Sequence, residues 1–265
     1  MSKVIAVANQ KGGVAKTMTT LSIGVGLARK GKKVLLIDAD AQGDLTTALG
    51  YKNADDMDVT LTTVMEKIIR GDEIGLDYGI LKQKEGIDLL PGNIELSGME
   101  VSLVNVMSRE LILREYINSI REHYDYIIID CPPSLGMITI NAFASVDSVL
   151  IPLQAAYLPI KGLQQLIRTI GKVKRQINQK LEFEGILFTM VDARTTYAQK
   201  NMEKIREAYG NNIYMFKTNI PQSVRAAETP ACGISIYQHD PKGKVALAYE
   251  KVVEEVLAHE QANSI

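Results

Sequence analysis

The most informative residues lie between 10 and 20, where the chain reads Gln-Lys-Gly-Gly-Val-Ala-Lys-Thr-Met-Thr-Thr directly after the apolar run Val4–Ala8. This order predicts a strand, a glycine turn and the start of a helix. Backbone N–H groups in such a turn, backed by a helix N-terminus, form a cradle for phosphate oxygens. Lys16 can reach the β- and γ-phosphates of a nucleotide, and the Thr17 hydroxyl can ligate Mg²⁺. Lys11 adds a second cation at the front of the loop.

The loop departs from the standard pattern G-x-x-x-x-G-K-[ST], because Gln10 and Ala15 occupy the two outer glycine positions. It matches the variant K-G-G-x-x-K-[ST], in which a lysine precedes the glycine pair. A plain Gly-Gly turn with surface lysines is the alternative, and the acidic motifs further along the chain favour the nucleotide. We expect Gly12 and Gly13 where the backbone approaches phosphate or takes a positive φ. Ala15 carries a Cβ that its own backbone conformation must tolerate.

Two acidic motifs follow apolar runs of strand length. Asp38, Asp40 and Asp44 come directly after the run Val34–Ile37, and Asp130 closes the run Tyr126–Ile129. Clustered carboxylates are costly unless a cation organises them, and Mg²⁺ on a nucleotide would do so. An aspartate at the end of an apolar strand is the Walker B arrangement, which holds Mg²⁺ directly or through water. A capping or turn role for one of the first three aspartates is the alternative.

Composition limits the other classes of protein. The chain has 265 residues, 46% of them apolar and 23% charged, with no Ser/Pro/Gly-rich linker, which predicts a single domain over residues 1–265. The longest apolar stretch, Ser148–Ile160, is too short to span a bilayer, and no signal peptide precedes the first strand. Cys131 and Cys232 form no CxxC pair, and Cys131 is expected to be a buried small residue. These features predict a cytoplasmic protein.

The charge is distributed unevenly. Lys161 to Arg225 contains 12 Lys/Arg against 5 Asp/Glu, a local charge of +7, whereas the rest of the chain carries −8. Such a block suggests a surface that binds polyanions. Solvated helix surfaces with an uneven charge are the alternative.

Continuous apolar runs alternate with helical patterns. This alternation predicts a doubly wound α/β fold of the P-loop NTPase type, a mostly parallel sheet with helices on both faces and ligands beyond the carboxyl ends of the strands. The predicted strands are Val4–Ala8, Val34–Ile37, Ile87–Leu90, Tyr126–Ile129, Val149–Ile151 and Ile186–Val191. The predicted helices are Thr17–Lys30, Leu61–Arg70, Arg109–His123, Leu163–Ile177, Tyr197–Tyr209 and Val245–His259.

The motifs together resemble the ParA/Soj branch of the ParA/MinD ATPases, which carry a deviant Walker A loop. The resemblance rests on Lys11–Thr17, Asp38–Gly43 and Ile127–Ser134, and it continues along nearly the whole chain. Further matches are Asn141-Ala142, Ile151–Gln154, Thr189–Arg194, Ile220-Pro221 and Val224-Arg225.

The resemblance implies an ATPase that uses ATP and Mg²⁺ and forms a sandwich homodimer on ATP. Lys11 would reach the partner's nucleotide, Asp40 would orient the attacking water, and Gly12 would lie where the dimer closes. The residues implied to bind nucleotide are Lys11, Gly12, Gly13, Val14, Ala15, Lys16, Thr17, Met18 and Pro221. Those implied to manage Mg²⁺ are Thr17, Asp38 and Asp130. Lys11, Lys16 and Asp40 would be the catalytic residues.

The resemblance also implies partners. ATP dimers of the family bind double-stranded DNA without reading its sequence, through arginines that match Arg194 and Arg225, and a ParB-like centromere-binding protein stimulates hydrolysis. The protein would then be associated with the nucleoid. Five positions depart from the family. Ala15, Met18, Ala41 and Asp44 bear on the rate of hydrolysis, and Gln222 lowers the expected affinity for DNA.

Three other functions are weighed. A MinD-like positioning ATPase would end in a basic amphipathic helix that lies on membrane, but the last predicted helix carries Glu250, Glu254 and Glu255, which predicts packing on the domain and no membrane partner. A metabolic ATP-dependent amidase or ligase on the same scaffold would need a substrate pocket. An iron–sulfur carrier would need paired cluster cysteines, which Cys131 and Cys232 do not resemble.

Overall fold

The computed structural model describes residues 2–155, 160–192 and 194–263. Within these ranges seven strands form one sheet in the order β3-β4-β2-β5-β1-β6-β7, and all pairs are parallel except β3 with β4. The strands are β1 Lys3–Val7, β2 Val34–Asp38, β3 Leu81–Lys82, β4 Asp88–Leu90, β5 Tyr126–Asp130, β6 Ser148–Gln154 and β7 Glu182–Thr189.

Helices cover both faces of the sheet, so the predicted fold class is confirmed. Helices α3 to α8 contribute to the hydrophobic core on one face, and α1, α2, α10 and α11 contribute to the core on the other. The helices are α1 Lys16–Arg29, α2 Asp44–Ala48, α3 Leu61–Arg70, α4 Leu96–Ser102, α5 Ile112–Ile120, α6 Met137–Ser145, α7 Ile160–Gln176, α8 Thr196–Tyr209, α9 Val224–Cys232, α10 Ile236–His239 and α11 Lys244–Asn263.

Burial on both faces explains why the strands read as continuous apolar runs. In β5 the side chains of Ile127 and Ile129 enter one core, while Tyr126 and Ile128 enter the other. Successive side chains of a strand point to opposite faces, so a strand between two helix layers needs apolar residues at every position. The apolar run ends at Asp130, where the strand reaches the carboxyl edge of the sheet.

The sheet register brings the acidic motifs together. Asp38, the last residue of β2, pairs in register with Asp130, the last residue of β5. Val7, which ends β1, pairs with Asp130 from the other side. The loop that follows β1 therefore starts beside both aspartates.

The sequence predictions differ from the structure mainly in short elements. The predicted helix Arg109–His123 is an α-helix only over Ile112–Ile120, followed by a 3₁₀ turn, and α11 extends beyond its predicted end. Part of the predicted apolar stretch Ser148–Ile160, residues 156–159, lies outside the described residues. The patterns missed β3, α2, α4, α6, α9 and α10. Most of these are too short to show a period: α2, α4 and α10 span fewer than two helical turns, and β3 has two residues. Helix α6 is buried at seven of its nine positions, so it shows no amphipathic pattern.

Helix α11 packs on the domain, as the sequence predicted, and its main partner is α1. Val252, Val253 and Val256 are fully buried in the core that α1 shares. The two helices approach closely at Gly26, where an added Cβ would lie 2.6 Å from Val253 Cγ2 and 2.7 Å from the Tyr237 hydroxyl. Among the described residues, no helix combines the length and the apolar character needed to cross a bilayer.

Candidate nucleotide-binding site

The loop between β1 and α1 has the backbone of an anion cradle. Gly13 and Ala15 both lie in the left-handed region, with φ of 68° and 64°. Val14 between them is buried, which anchors the loop in the core. Alternation of right- and left-handed residues turns successive N–H groups toward one concavity, and α1 begins directly behind it at Lys16. The expected φ > 0 at the glycine pair is confirmed for Gly13, and Ala15 adopts it without the benefit of a glycine.

Lys16 is buried inside this loop. Its side chain is 7% exposed, and its ammonium donates to the carbonyl oxygen of Lys11 at 3.4 Å. The ammonium lies near the carboxylate of Asp130, since its charge partly offsets the rise in the Asp130 pKa that burial causes. The ammonium is therefore held at the base of the cradle, beneath the site that phosphate oxygens would occupy.

The carboxylate of Asp130 is buried and only partly hydrogen-bonded. It is 1% exposed; Oδ1 accepts a hydrogen bond from the Thr20 hydroxyl at 3.3 Å, and Oδ2 is buried with no hydrogen-bond partner among the described residues. Burial first, and then the Asp38 carboxylate, raises the pKa of Asp130 to about 8. A Mg²⁺ ion fits here, because the free carboxylate oxygen would gain the charge that it lacks.

Asp38 is engaged differently. Its Oδ2 accepts hydrogen bonds from the Thr46 backbone N–H at 2.8 Å and from the Thr46 hydroxyl at 2.7 Å, and its Oδ1 accepts from the Asp40 backbone at 3.3 Å. Burial raises its pKa to about 6 although these hydrogen bonds lower it. Both oxygens therefore have donors within the chain, and Asp38 fixes the loop before α2, a turn role of the kind that the sequence left open.

Asp40 and Asp44 occupy the same loop. Asp40 is half-buried, and its Oδ1 accepts from the Gln42 backbone at 3.1 Å. Asp44 begins α2 and is exposed, and burial together with the Asp40 charge raises its pKa. No group of three His, Cys, Asp or Glu side chains within the described ranges forms a preformed metal cage. An ion held here would rely on few protein ligands and on phosphate oxygens, as Mg²⁺ commonly does.

Cys131 follows Asp130 and is fully buried, as the sequence predicted. Burial and the neighbouring carboxylate raise the pKa of its thiol. A thiol that resists ionisation in an apolar environment is a packing residue and a poor nucleophile.

Lys11 folds back onto its own chain. Its ammonium donates to Gln154 Oε1 at 3.0 Å, and its backbone N–H donates to Asn9 Oδ1 at 3.0 Å. Gln154 ends β6, the strand beside β1, so the lysine rests along the carboxyl edge of the sheet. Gly12 next to it is exposed, and an added Cβ there would meet no described atom within 4 Å. Nothing within this single chain therefore requires a glycine at position 12.

A largely apolar cavity of about 450 Å³ opens beside the loop. It brings together the nucleotide-binding candidates Gly13, Ala15, Thr17, Met18 and Pro221, which are distant in sequence. It is lined in addition by Met190, Ile220, Gln222, Ser223, Val224, Ala226, Ala227, Pro230, Val245 and Tyr249. Apolar walls next to a phosphate cradle suit the flat face of a nucleotide base.

Met190 is a cavity residue that the sequence did not indicate. It has a φ of 52°, so two of the three described non-glycine residues with positive φ, Met190 and Ala15, line this one cavity. Left-handed conformations of side-chain-bearing residues cost about 1–3 kcal/mol and concentrate at functional sites.

Three other site residues were not predicted from the sequence. Thr46 and Gln154 had no local signal, because their partners are fixed by loop and sheet geometry. Thr20 lies one helical turn beyond Lys16 and could have been found from that spacing.

The two candidate DNA-binding arginines are exposed and paired with aspartates. Arg194 is 90% exposed and makes two hydrogen bonds of 2.9 Å to Asp192; Arg225 is 65% exposed and bonds Asp240 at 3.0 Å. The Arg194 guanidinium holds the pKa of the Asp192 carboxyl at about 2. A parallel bridge between Val191 and Pro221 joins the two segments that carry them. Arg194 therefore lies on the loop before α8 and Arg225 in the first turn of α9, and both are exposed to solvent.

Comparison with known proteins identifies the family of this chain. A family model described as an AAA domain matches residues 2–183. The sporulation initiation inhibitor protein Soj of Bacillus subtilis is 41% identical over 98% of this chain and 100% of its own length. The chromosome partitioning protein ParA of Caulobacter vibrioides is 36% identical over 98% of this chain and 95% of its own. The chain belongs to the Soj/ParA family of partitioning ATPases.

A solved structure with bound nucleotide shares the fold. The cobyrinic acid a,c-diamide synthase from Mycobacterium smegmatis, crystallised with bound ADP and magnesium, superposes with a TM-score of 0.85 at 35% identity, covering 99% of this chain and 97% of that one. This member of the Soj/ParA family is an ATPase that uses ATP and Mg²⁺.

Proposed function

We propose that this protein is a DNA-partitioning ATPase in which ATP drives homodimerisation and DNA binding, and hydrolysis ends both. The observation that carries the proposal is the pairing of a strained phosphate cradle with a second, forward lysine, in a chain that aligns end to end with partitioning relatives. The finer roles below are assigned from the geometry of individual residues.

The nucleotide would lie along the β1–α1 loop. Backbone N–H groups of residues 12–18 would bind its phosphates, the Lys16 ammonium would approach the β- and γ-phosphates, and Pro221 would contact the base in the apolar cavity. The Thr17 hydroxyl and Asp130 Oδ2 would hold Mg²⁺, which supplies charge neutralisation of the phosphates when bound. Asp38 would act indirectly, because Thr46 and the Asp40 backbone already occupy its oxygens.

Lys11 would act across a dimer. In the single chain its ammonium donates to Gln154 Oε1 at 3.0 Å, and on dimerisation this hydrogen bond would be exchanged for one to a phosphate of a second protomer. A cation supplied to the γ-phosphate in this way is worth roughly 10³–10⁵ in hydrolysis rate in GTPases. The open space around Gly12 is consistent with a second protomer as the reason for the glycine.

Asp40 would orient the attacking water. It lies two residues beyond the buried Asp38, in a loop that Asp38 and Thr46 hold in place. It is half-buried and one of its oxygens is engaged by a backbone N–H, which leaves the other for a water near the γ-phosphate.

Arg194 and Arg225 would bind the phosphate backbone of duplex DNA. Their present partners, Asp192 and Asp240, form exposed ion pairs that solvent screens, so exchange for phosphates is not costly. With two contacts from each subunit, the logarithm of affinity should fall with the logarithm of salt concentration at a slope of about −3.6. A ParB-like protein at a centromere-like site would stimulate hydrolysis, and the dimer would be associated with the nucleoid in the cytoplasm.

Filter binding with random-sequence duplex DNA tests the switch. Retention should require ATP, should be lost with ADP, and should fall about a hundredfold between 50 and 200 mM salt. The double variant Arg194→Glu/Arg225→Glu should still dimerise on ATP, as measured by light scattering, but should not retain DNA. Equal retention with ATP and ADP would refute the switch, and retention by the double variant would place the DNA surface elsewhere.

A second candidate function follows from the M. smegmatis structure, whose name is that of an amide-forming enzyme. A metabolic ATP-dependent amidase or ligase on the same scaffold would convert a carboxylic acid to an amide as ATP is consumed. Incubation with cobyrinic acid, glutamine and ATP distinguishes the two candidates. Amide product would favour the metabolic function, whereas ATP-dependent retention of DNA without product favours partitioning.

A further inference from the structure

Helix α7 carries an unusual set of charges. Over Ile160–Gln176 it contains five Lys or Arg residues and no Asp or Glu. Four of the five are exposed cations on one side of the helix, and we call them the α7 stripe: Lys161, Arg168, Lys172 and Arg175. At 100° and 1.5 Å per residue they fall within an arc of about 60° and extend for about 21 Å. The opposite side of the helix is buried through Leu163, Leu166, Ile170 and Val173.

The stripe is not neutralised within the described chain. Some exposed cations elsewhere, such as Arg70 and Lys82, have carboxylate partners, and the fifth α7 cation, Lys174, pairs with Glu182 at 2.5 Å. None of the four stripe residues has a carboxylate within 4.0 Å among the described side chains. Like charges one turn apart on a helix repel each other, so this arrangement costs stability unless an anion binds it.

Helix energetics do not account for the stripe. The positive end of the helix macrodipole opposes a cation in the first turn, and α7 has Lys161 there with no acidic residue to offset it. Only Lys174 and Arg175, in the last turn, are favoured by the dipole. The sequence showed a basic block without orienting it, and the fold orients four of its members in one direction.

We propose that the α7 stripe binds the phosphate backbone of duplex DNA, as a second surface beyond Arg194 and Arg225. The inference rests on the proposed function. Arg194 lies just before α8, and α7 and α8 contribute side chains to the same core on one face of the sheet. A row of four cations on one side of a helix suits a line of phosphates, and contributes affinity without sequence preference.

The test measures the salt dependence of DNA retention in the ATP state. The quadruple variant Lys161→Gln/Arg168→Gln/Lys172→Gln/Arg175→Gln removes the stripe with helix-compatible residues. A matched control, Lys33→Gln/Lys52→Gln/Lys84→Gln/Lys242→Gln, removes four exposed charges from other surfaces. The measured slope is that of the logarithm of affinity against the logarithm of salt concentration. If one stripe engages DNA, this slope should be shallower by about 3.6 in the stripe variant. The wild type should then lose about a hundredfold more affinity than the variant between 50 and 200 mM salt. The control should keep the wild-type slope to within about 1.

A second variant guards against loss of folding. Lys161→Arg/Arg168→Lys/Lys172→Arg/Arg175→Lys keeps every charge and should bind DNA as the wild type does, while circular dichroism should show a Tm no lower than that of the wild type for either α7 variant. Equal slopes for the wild type and the Gln variant would overturn the α7 surface while leaving the partitioning switch intact, and would leave an acidic protein partner as the occupant. A slope difference that persists equally with ADP would support the surface and refute the switch instead.

Discussion

Ala15 provides a sharp test of the loop geometry. It has a φ of 64° and a ψ of 36°, a left-handed conformation that costs an L-residue with a Cβ about 1–2 kcal/mol. Ala15→Gly removes this strain but gives the unfolded chain more freedom, which costs about 0.4–1 kcal/mol. The free energy of unfolding should therefore rise by about 0.5–1 kcal/mol, which corresponds to an increase of roughly 1–4 °C in Tm for a chain of this size.

Urea denaturation followed by circular dichroism, without nucleotide, measures this change. The matched control is Ala208→Gly, which makes the same substitution at an exposed position in the last turn of helix α8 and should lower the stability, by at most about 0.5 kcal/mol. The two variants should thus move in opposite directions. If Ala15→Gly is destabilised as Ala208→Gly is, the left-handed backbone assigned to residue 15 is wrong.

Four further substitutions test the site. Lys16→Ala should abolish binding of a fluorescent ATP analogue, since the buried ammonium is the main phosphate cation; measurable affinity would refute that role. Asp40→Ala should keep analogue binding but stop phosphate release, and unchanged turnover would remove Asp40 from the mechanism. Thr46→Val should lower the free energy of unfolding by about 2 kcal/mol in urea, because a buried carboxylate loses a charged hydrogen bond, and no loss would deny Thr46 its role. The stability of Asp130→Asn relative to the wild type should increase as pH rises from about 4 to 8. The pKa of Asp130 is about 8 in the folded state, above its value in the unfolded state. The folded wild type is therefore protonated at low pH and carries a costly buried charge at high pH. Urea midpoints at pH 5 and 8 measure this difference, and a constant gap would contradict it.

The main elements of the fold could be predicted from the sequence because burial on both faces leaves a strong local trace. Tyr126–Ile129 and Val34–Ile37 are strands that need apolar residues at every position, and the structure extends each by only its final aspartate. Elements such as α2 could not be predicted in the same way. Its five residues are held by Asp38 through Thr46, a contact between a strand end and a helix that no local period encodes.

The candidate site was predictable in its residues more than in its geometry. The spacing of Lys11, Lys16 and Thr17 placed the phosphate loop correctly after β1. It did not reveal that Ala15 is left-handed, that Asp38 is committed to Thr46, or that the Lys11 ammonium reaches Gln154, 143 residues away in sequence. These facts depend on which strand ends the sheet brings side by side, so they follow from topology.

The close contact at Gly26 has a consequence for how the protein binds its nucleotide. A larger residue at position 26 would collide with Val253 and the Tyr237 hydroxyl and would displace α1, the helix that begins behind the phosphates. We expect such a substitution to weaken nucleotide binding through the displaced helix, without any contact with the nucleotide itself.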